Sequence, residues 1–450
     1  MRRGKTEDCH NPLPQGTLHV VSAHLLAEAT SLWFIVDVLV PLTVAIWLLI
    51  DVHWSYRRRQ QRIRLKLAGK WDELDAHYQR ELGSHRLILP FLLRKYAVPG
   101  NLEAGYAAYL YERGRLESAL EFTDRAITLA RKPRWKLKSV FGVRPTTRTL
   151  PVALNLRVLV LTGLGRYDEA RTTAAELRDL LPPGQRRNSA DCLMEVQSGH
   201  LEEALNLAYE TLSHKSNDGT ARLVASWVYR LRGDFPEAAN ILFYQPHDVA
   251  EHYSPKDLAL VLKSHEGAKF VALQRQYAAT IHEPIRLLAL SGVYLEAGNL
   301  DDATQALDTV QPLLGANPVI LCDYHRRRAM CAAGKGDSPR AEQHLAAARS
   351  ILADYPKRST QWETHIAAGR CYLSLHAMDK AGAEFAQAQA LWLHPLDKHV
   401  TNYWLGRTAD AARRRSEAIQ RYEKLVADGI DTKMRQEAIE ALPRLKVMSP

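Results

Sequence analysis

The chain has 450 residues, 46% hydrophobic and 24% charged, which suits one extended folded array or several domains and excludes a compositionally disordered polymer. Its formal net charge of +10 favours acidic partners, whether anionic lipid, acidic protein segments or nucleic acid. Five cysteines (Cys9, Cys192, Cys322, Cys331 and Cys371) are widely spaced without a CxxC pair, a pattern of neither a disulfide framework nor a zinc site.

After a short extramembrane tail (1–30), residues 32–50 read LWFIVDVLVPLTVAIWLLI. A bilayer-spanning helix needs roughly 20 apolar residues, so one transmembrane helix is expected over 31–54. Asp37 and Pro41 oppose this: an acid held mid-bilayer costs about 2.5 to 3.5 kcal/mol, and proline removes a backbone bond. Asp37 lies near the amino-terminal end of the run, where it either marks the helix end or pairs with a polar group on a partner's membrane helix. Trp33, Trp47 and Trp54 fall towards the two ends, as interfacial aromatic belts do. Arg57, Arg58 and Arg59, followed by Arg62, Arg64 and Lys66, crowd the carboxyl side, whereas 11–31 carry no Lys or Arg. The positive-inside bias therefore places the amino terminus outside and all later residues in the cytoplasm, with the basic cluster at the anionic inner face. The run is too long, and its flank too basic, for a cleaved signal peptide. Composition suggests a bacterial inner membrane.

Beyond residue 69 a pattern recurs: a helix-spaced apolar run, a Gly-centred turn, an acidic residue, then Ala. It appears as ERGRLESAL (112–120), GLGRYDEAR (163–171), QSGHLEEAL (197–205), RLRGDFPEAA (230–239), EAGNLDDAT (296–304), GKGDSPRAE (334–342), LHAMDKAGA (375–383) and ARRRSEAIQ (412–420). The small residue after the turn falls at Ala119, Ala170, Ala204, Ala238, Ala303, Ala341, Ala381 and Ala418, mostly 34 to 40 residues apart, a solenoid period. DLALVLKSHEGAKFVALQRQYAA (257–279) is a degenerate copy with Phe270 at the packing position, and LAGKWDEL (67–74) an opening copy within a first degenerate repeat at 55–98. No Pro or Gly separates the apolar run from Gly69, so the first helix of the array is expected to prolong the membrane helix.

These copies resemble the tetratricopeptide repeat. One has Ala368, Gly369, Tyr372, Met378, Ala381, Phe385 and Ala388; another has Leu287, Leu290, Ser291, Tyr294, Gly298, Leu300, Ala303 and Leu307. A third has Ala225, Ser226, Tyr229, Gly233, Phe235 and Ala238, and the resemblance covers about residues 56–428. Arg157 and Arg328 stand where a small or apolar residue is expected, and His376 where the turn Gly is, so those repeats are expected to splay or shift. The resemblance implies an all-α, right-handed superhelical solenoid over 99–428, with a concave wall that binds peptides and carries no chemistry of its own. Residues 429–450 would form a capping helix and tail.

Two basic sets are candidate contact sites. The insertion at 130–150 carries Lys132, Arg134, Lys136 and Lys138 among Trp135 and Phe141, without an acid. It suits an anionic membrane surface at about 1 kcal/mol per basic residue, the alternative being a solvated loop or small hairpin. Arg326, Arg370 and Arg407 lie on first helices of three consecutive repeats; the family's groove would make them a ladder for acidic peptides, the alternative being ordinary exposed arginines. No HExxH helix, phosphate loop, nucleophile elbow or DNA-binding module is present, so no catalytic residue, metal, cofactor or nucleic acid is expected. The sequence reads as a membrane-anchored scaffold that recruits soluble proteins through its groove. A subunit of an envelope polysaccharide or protein export machine, or an enzyme with its site between repeats, are the alternatives.

Overall fold

The computed structural model describes residues 57–84, 100–131, 149–181, 189–214, 218–242 and 283–447. The expected span with Asp37, the basic residues from Lys132 to Phe141, and the degenerate copy around Phe270 lie outside the described residues. Among the described residues no helix is long and apolar enough to cross a membrane. The chain divides into two compact units, 1–62 and 63–450. Of the first, residues 57–62 are described and are helical, with Arg57 and Arg59 exposed and Arg58 half-buried.

Helices follow in antiparallel pairs. They are α1 (57–67) with α2 (Trp71–Ser84), α3 (Asn101–Glu112) with α4 (Leu116–Arg131), α5 (Thr149–Gly163) with α6 (Tyr167–Leu180), and α7 (Ser189–Ser198) with α8 (Leu201–His214). Then come α9 (Gly219–Arg232) with α10 (Phe235–Asn240), α11 (283–296) with α12 (Leu300–Val310), α13 (Pro318–Gly334) with α14 (Ser338–Asp354), α15 (Arg358–Ser374) with α16 (Met378–Ala390), and α17 (Pro395–Ala411) with α18 (Arg415–Ala427). A last helix, α19 (Lys433–Val447), closes the stack with Ala438 and Leu445 buried against it.

The turn inside each pair is set locally. One residue takes a left-handed conformation: Gly69, Gly114, Gly165, Gly199, Gly233, Gly298 and Gly336 in seven pairs, His376 (φ 58°) and Arg413 (φ 60°) in the last two. Glycine reaches this region without a Cβ penalty, so His376 and Arg413 hold the same turn under strain. Each of the eight small residues that follow these turns, from Ala119 to Ala418, is at most 1% exposed. Leu74 stands at that register in the opening pair, also fully buried.

Small residues then let the two helices of a pair close to about 8 to 10 Å. A methyl added at Gly369 would lie 2.5 Å from Phe385 Cε1, and one at Gly406 would lie 2.6 Å from Tyr422 Cε1. Both aromatics are buried against these bare backbones. Arg157 and Arg328 do not splay their pairs: Arg157 reaches Asp124 Oδ1 at 2.7 Å and Thr173 Oγ1 at 2.6 Å, and Arg328 pairs with Asp308 and with the Tyr324 hydroxyl. Each spans to the preceding second helix, and Ala170 and Ala341 beside them stay buried.

The pairs do not form an open row. An added methyl at Gly69 would meet Ala316 Cβ at 2.5 Å, at Gly114 Lys357 Cβ at 3.0 Å, and at Gly165 the Leu393 carbonyl oxygen at 3.0 Å. At Gly199 it would meet Ile430 Cδ1 at 2.8 Å and at Gly233 Lys433 Cδ at 2.7 Å. The turns of the first five described pairs thus abut, in chain order, the connections after α12, α14, α16 and α18 and the start of α19. At Gly298 and Gly336 an added methyl would meet nothing within 4 Å. The later pairs lie on the earlier ones as a second winding. Leu396, Val400 and Ile430 share a core with Val196, Leu201 and Val224 across this seam. The Arg113 guanidinium, 5.9 Å from the Trp71 ring and 5.3 Å from Tyr355, ties the windings further.

Candidate partner-binding interior

First helices of separate pairs meet in the interior. Glu296, at the end of α11, takes Arg230 of α9 at 3.1 Å and Arg370 of α15 at 3.5 Å. The Arg327 side chain of α13 lies against Gly292 on α11, in space that any side chain there would fill, and the Arg230 guanidinium is on the same spot. Arg370 also stacks over Trp404 of α17, 4.8 Å from the ring centre. Five first helices therefore contribute to one polar interior.

Arg230, Arg327, Arg370 and Glu296 keep between 16% and 24% of their side-chain surface, so solvent reaches them. Asp323 is shared by Arg326 and Arg327, each at 3.1 Å. Burial raises the Asp323 carboxyl, but Arg327 and Arg326 more than offset it and hold the group below the usual carboxylate range. The cations of this interior, Arg230, Arg327 and Arg370, outnumber its acids Glu296 and Asp323. Such a site offers planar guanidiniums to carboxylates. It contains no nucleophile–base pair.

The arginines singled out from sequence have three separate sets of partners. Arg326 is 6% exposed, bonded to Asp323, to Glu363 at 2.7 Å and to the Thr360 carbonyl at 3.3 Å. It is a structural cation within the array, not a rung of an exposed ladder. Arg370 belongs to the interior, whereas Arg407 bonds the Tyr403 hydroxyl at 2.9 Å and Glu437 of the capping helix at 3.4 Å. Arg230, Glu296 and Arg327 were not legible as site residues, because their grouping depends on pairing such as Arg370 with Glu296, 74 positions apart.

Cys331 and Cys371 are buried; burial raises both thiols, that of Cys371 to about 12. Among the described residues no group of three or more His, Cys, Asp or Glu is placed to hold a metal ion.

No family profile and no curated protein sequence matches the chain. Solved structures that are similar include the APC/C hetero-tetramer Cut9-Hcn1, at TM-score 0.47 and 16% identity over 83% of this chain. The chain spans 59% of that protein's length. Human IFIT1, a dimer with m7Gppp-AAAA, gives 0.45 and 14% over 87% of this chain and 80% of its own. A tetratricopeptide repeat protein from Parabacteroides merdae gives 0.33 and 14% over 78% of this chain and 99% of its own. These likenesses are of overall architecture and leave the assignment to the helix pairs themselves. By its left-handed turns, its buried small residues and its stacked helix pairs, the chain folds as an array of helix-turn-helix pairs of the tetratricopeptide type.

Proposed function

We propose that the chain is a membrane-anchored scaffold that holds protein partners through acidic segments entering its interior. The observation that carries this is the Arg230–Glu296–Arg370 cluster, with Arg327 beside it, a solvent-reached surplus of guanidinium groups contributed by separate repeats. A carboxylate from a partner finds there bidentate donors already oriented by Glu296 and by the Trp404 ring. The anchor rests on the sequence of 32–50, and the two windings suit the role because packed turns hold the site at a fixed geometry.

Crosslinking in intact membranes tests the proposal, with wild type compared against Arg230 and Arg370 both changed to Gln. A defined set of proteins captured by wild type and lost from the double variant, at unchanged melting temperature, supports it. Retention of the same set rejects the interior as the working surface.

A further inference from the structure

Of the two acids in the interior, Glu296 is the loosely held one. Asp323 is committed, since Arg326 and Arg327 each reach it at 3.1 Å and it balances the buried Arg326. Glu296 holds its arginines with less. Arg230 Nε lies 3.1 Å from Oε2 but is not aligned for a hydrogen bond, and Arg370 Nη1 stands 3.5 Å from Oε1. Charge-assisted bonds between a guanidinium and a well-placed carboxylate run at about 2.7 to 2.9 Å, and a forked pair makes two of them. A better-placed carboxylate therefore outdoes Glu296 at both arginines.

The position of Glu296 is also unfavourable for the helix that carries it. It is the last residue of α11, where the free carbonyls and the helix dipole repel a negative charge. Departures of this kind from local preference are expected at functional sites. The turn that follows supplies room to move. Gly298 is left-handed (φ 82°), and a methyl added there would meet nothing within 4 Å, whereas the turns at Gly69, Gly114, Gly165, Gly199 and Gly233 are packed against later parts of the chain.

The charge balance turns on this residue. Arg230, Arg327 and Arg370 face Glu296 and Asp323, a surplus of one cation; without the charge of Glu296 the surplus is two. An entering carboxylate must displace Glu296 from Arg230 and Arg370, and a tethered acid competes at high effective concentration. A lone Asp or Glu loses that competition, whereas a segment with several acids brings enough attraction to win it.

We infer that Glu296 is a built-in place-holder: it pairs with Arg230 and Arg370 until an acidic segment takes them, and it restricts binding to segments with clustered acids. This role rests on the interior being the acid-receiving surface proposed above, and it fixes which acidic segments that surface accepts.

The test is fluorescence anisotropy of two fluorescein-labelled, amidated decapeptides on the full chain in detergent: deca-glutamate, and one with a single Glu among Gly and Ser. Glu296→Gln keeps the shape of the side chain and one acceptor oxygen for the arginines, and drops the charge. It is expected to tighten deca-glutamate about 10-fold and to bring the single-Glu peptide into measurable binding, which wild type does not show. Asp302→Asn, at an exposed acid of α12, controls for net charge and is expected to leave both peptides as in wild type. Equal or weaker binding of deca-glutamate to Glu296→Gln, while wild type binds it, would overturn the place-holder and leave the interior site standing. Tightening of the same size in Asp302→Asn would do so too, as would a melting temperature of Glu296→Gln well below wild type, the mark of a structural counter-ion. Tightening that persists after Arg230→Gln/Arg370→Gln is added, or no binding to wild type and Glu296→Gln alike, would overturn both the place-holder and the interior site.

Discussion

The Tyr167 hydroxyl and His394 Nδ1 lie 2.6 Å apart although 227 positions separate them in the chain. Tyr167 opens the second helix of an early pair, and His394 caps the first helix of a late one, so this bond crosses the seam between the windings. Burial holds the imidazole neutral, pushed down to about 4, so the tyrosine donates and the ring nitrogen accepts. Tyr167→Phe leaves that nitrogen without a donor in a buried place and is expected to cost about 1 to 3 kcal/mol. Urea unfolding of the two proteins measures it.

The same imidazole makes stability depend on pH. Its value in an unfolded chain is about 6.5, so between that and about 4 the unfolded state binds the extra proton. Its stabilisation is complete above about 6.5 and is lost as the pH falls towards 4. Asp397, raised to about 7 by burial, acts in the opposite sense: its contribution is present at low pH and fades as the pH rises through 7. Removing the histidine term alone separates them. His394→Gln is expected to lose up to about 2 kcal/mol less than wild type between pH 7 and pH 5, read from urea midpoints at each pH. A larger loss in the variant contradicts the assignment.

Contact between windings has its own signature. Gly69 and Gly298 share the left-handed turn, φ 66° and 82°, but an alanine methyl at Gly69 strikes Ala316 Cβ whereas at Gly298 it meets open space. Both substitutions carry the cost of the backbone conformation. Gly69→Ala alone adds overpacking, an extra of about 1 to 3 kcal/mol. Equal melting temperatures for the two variants would mean that the seam is not closed in solution.

Arg326 of α13 and Arg370 of α15 should differ in what their loss costs. Arg326→Ala empties a buried site, takes the donor from the Thr360 carbonyl and the cation from Glu363, and leaves Asp323 to Arg327 alone, at an expected cost of about 2 to 3 kcal/mol. Arg370→Gln removes a longer pair, at 3.5 Å, from a Glu296 that Arg230 still holds, and is expected to cost about 1 kcal/mol. Thermal melts of the single variants check the contrast. It matters practically, because loss of partner capture in an Arg326 variant would report unfolding.

Much of the array was legible because its determinants are local. A left-handed turn and a buried small residue a fixed step later, as in Gly165 with Ala170 or Gly199 with Ala204, leave a mark that repeats along the chain. His376 shows how far the pattern stretches, since it holds the glycine's conformation without being glycine. The seam left no such mark. Gly199 and Ile430, or Tyr167 and His394, meet because successive pairs rotate by an amount that no single repeat specifies. The arginine run at 326–328 was ambiguous for a related reason: Arg326 is buried because Glu363 lies on the next first helix, while Arg327 turns to Gly292 on the preceding one.

The most direct measurement of the central claim is binding of a fluorescein-labelled deca-glutamate peptide to the full chain in detergent, followed by fluorescence anisotropy. Wild type is expected to bind, and to weaken as salt is raised. The Arg230→Gln/Arg370→Gln variant is expected to bind at least 10-fold more weakly. Equal affinity of wild type and the double variant would contradict the claim that the interior receives acidic segments.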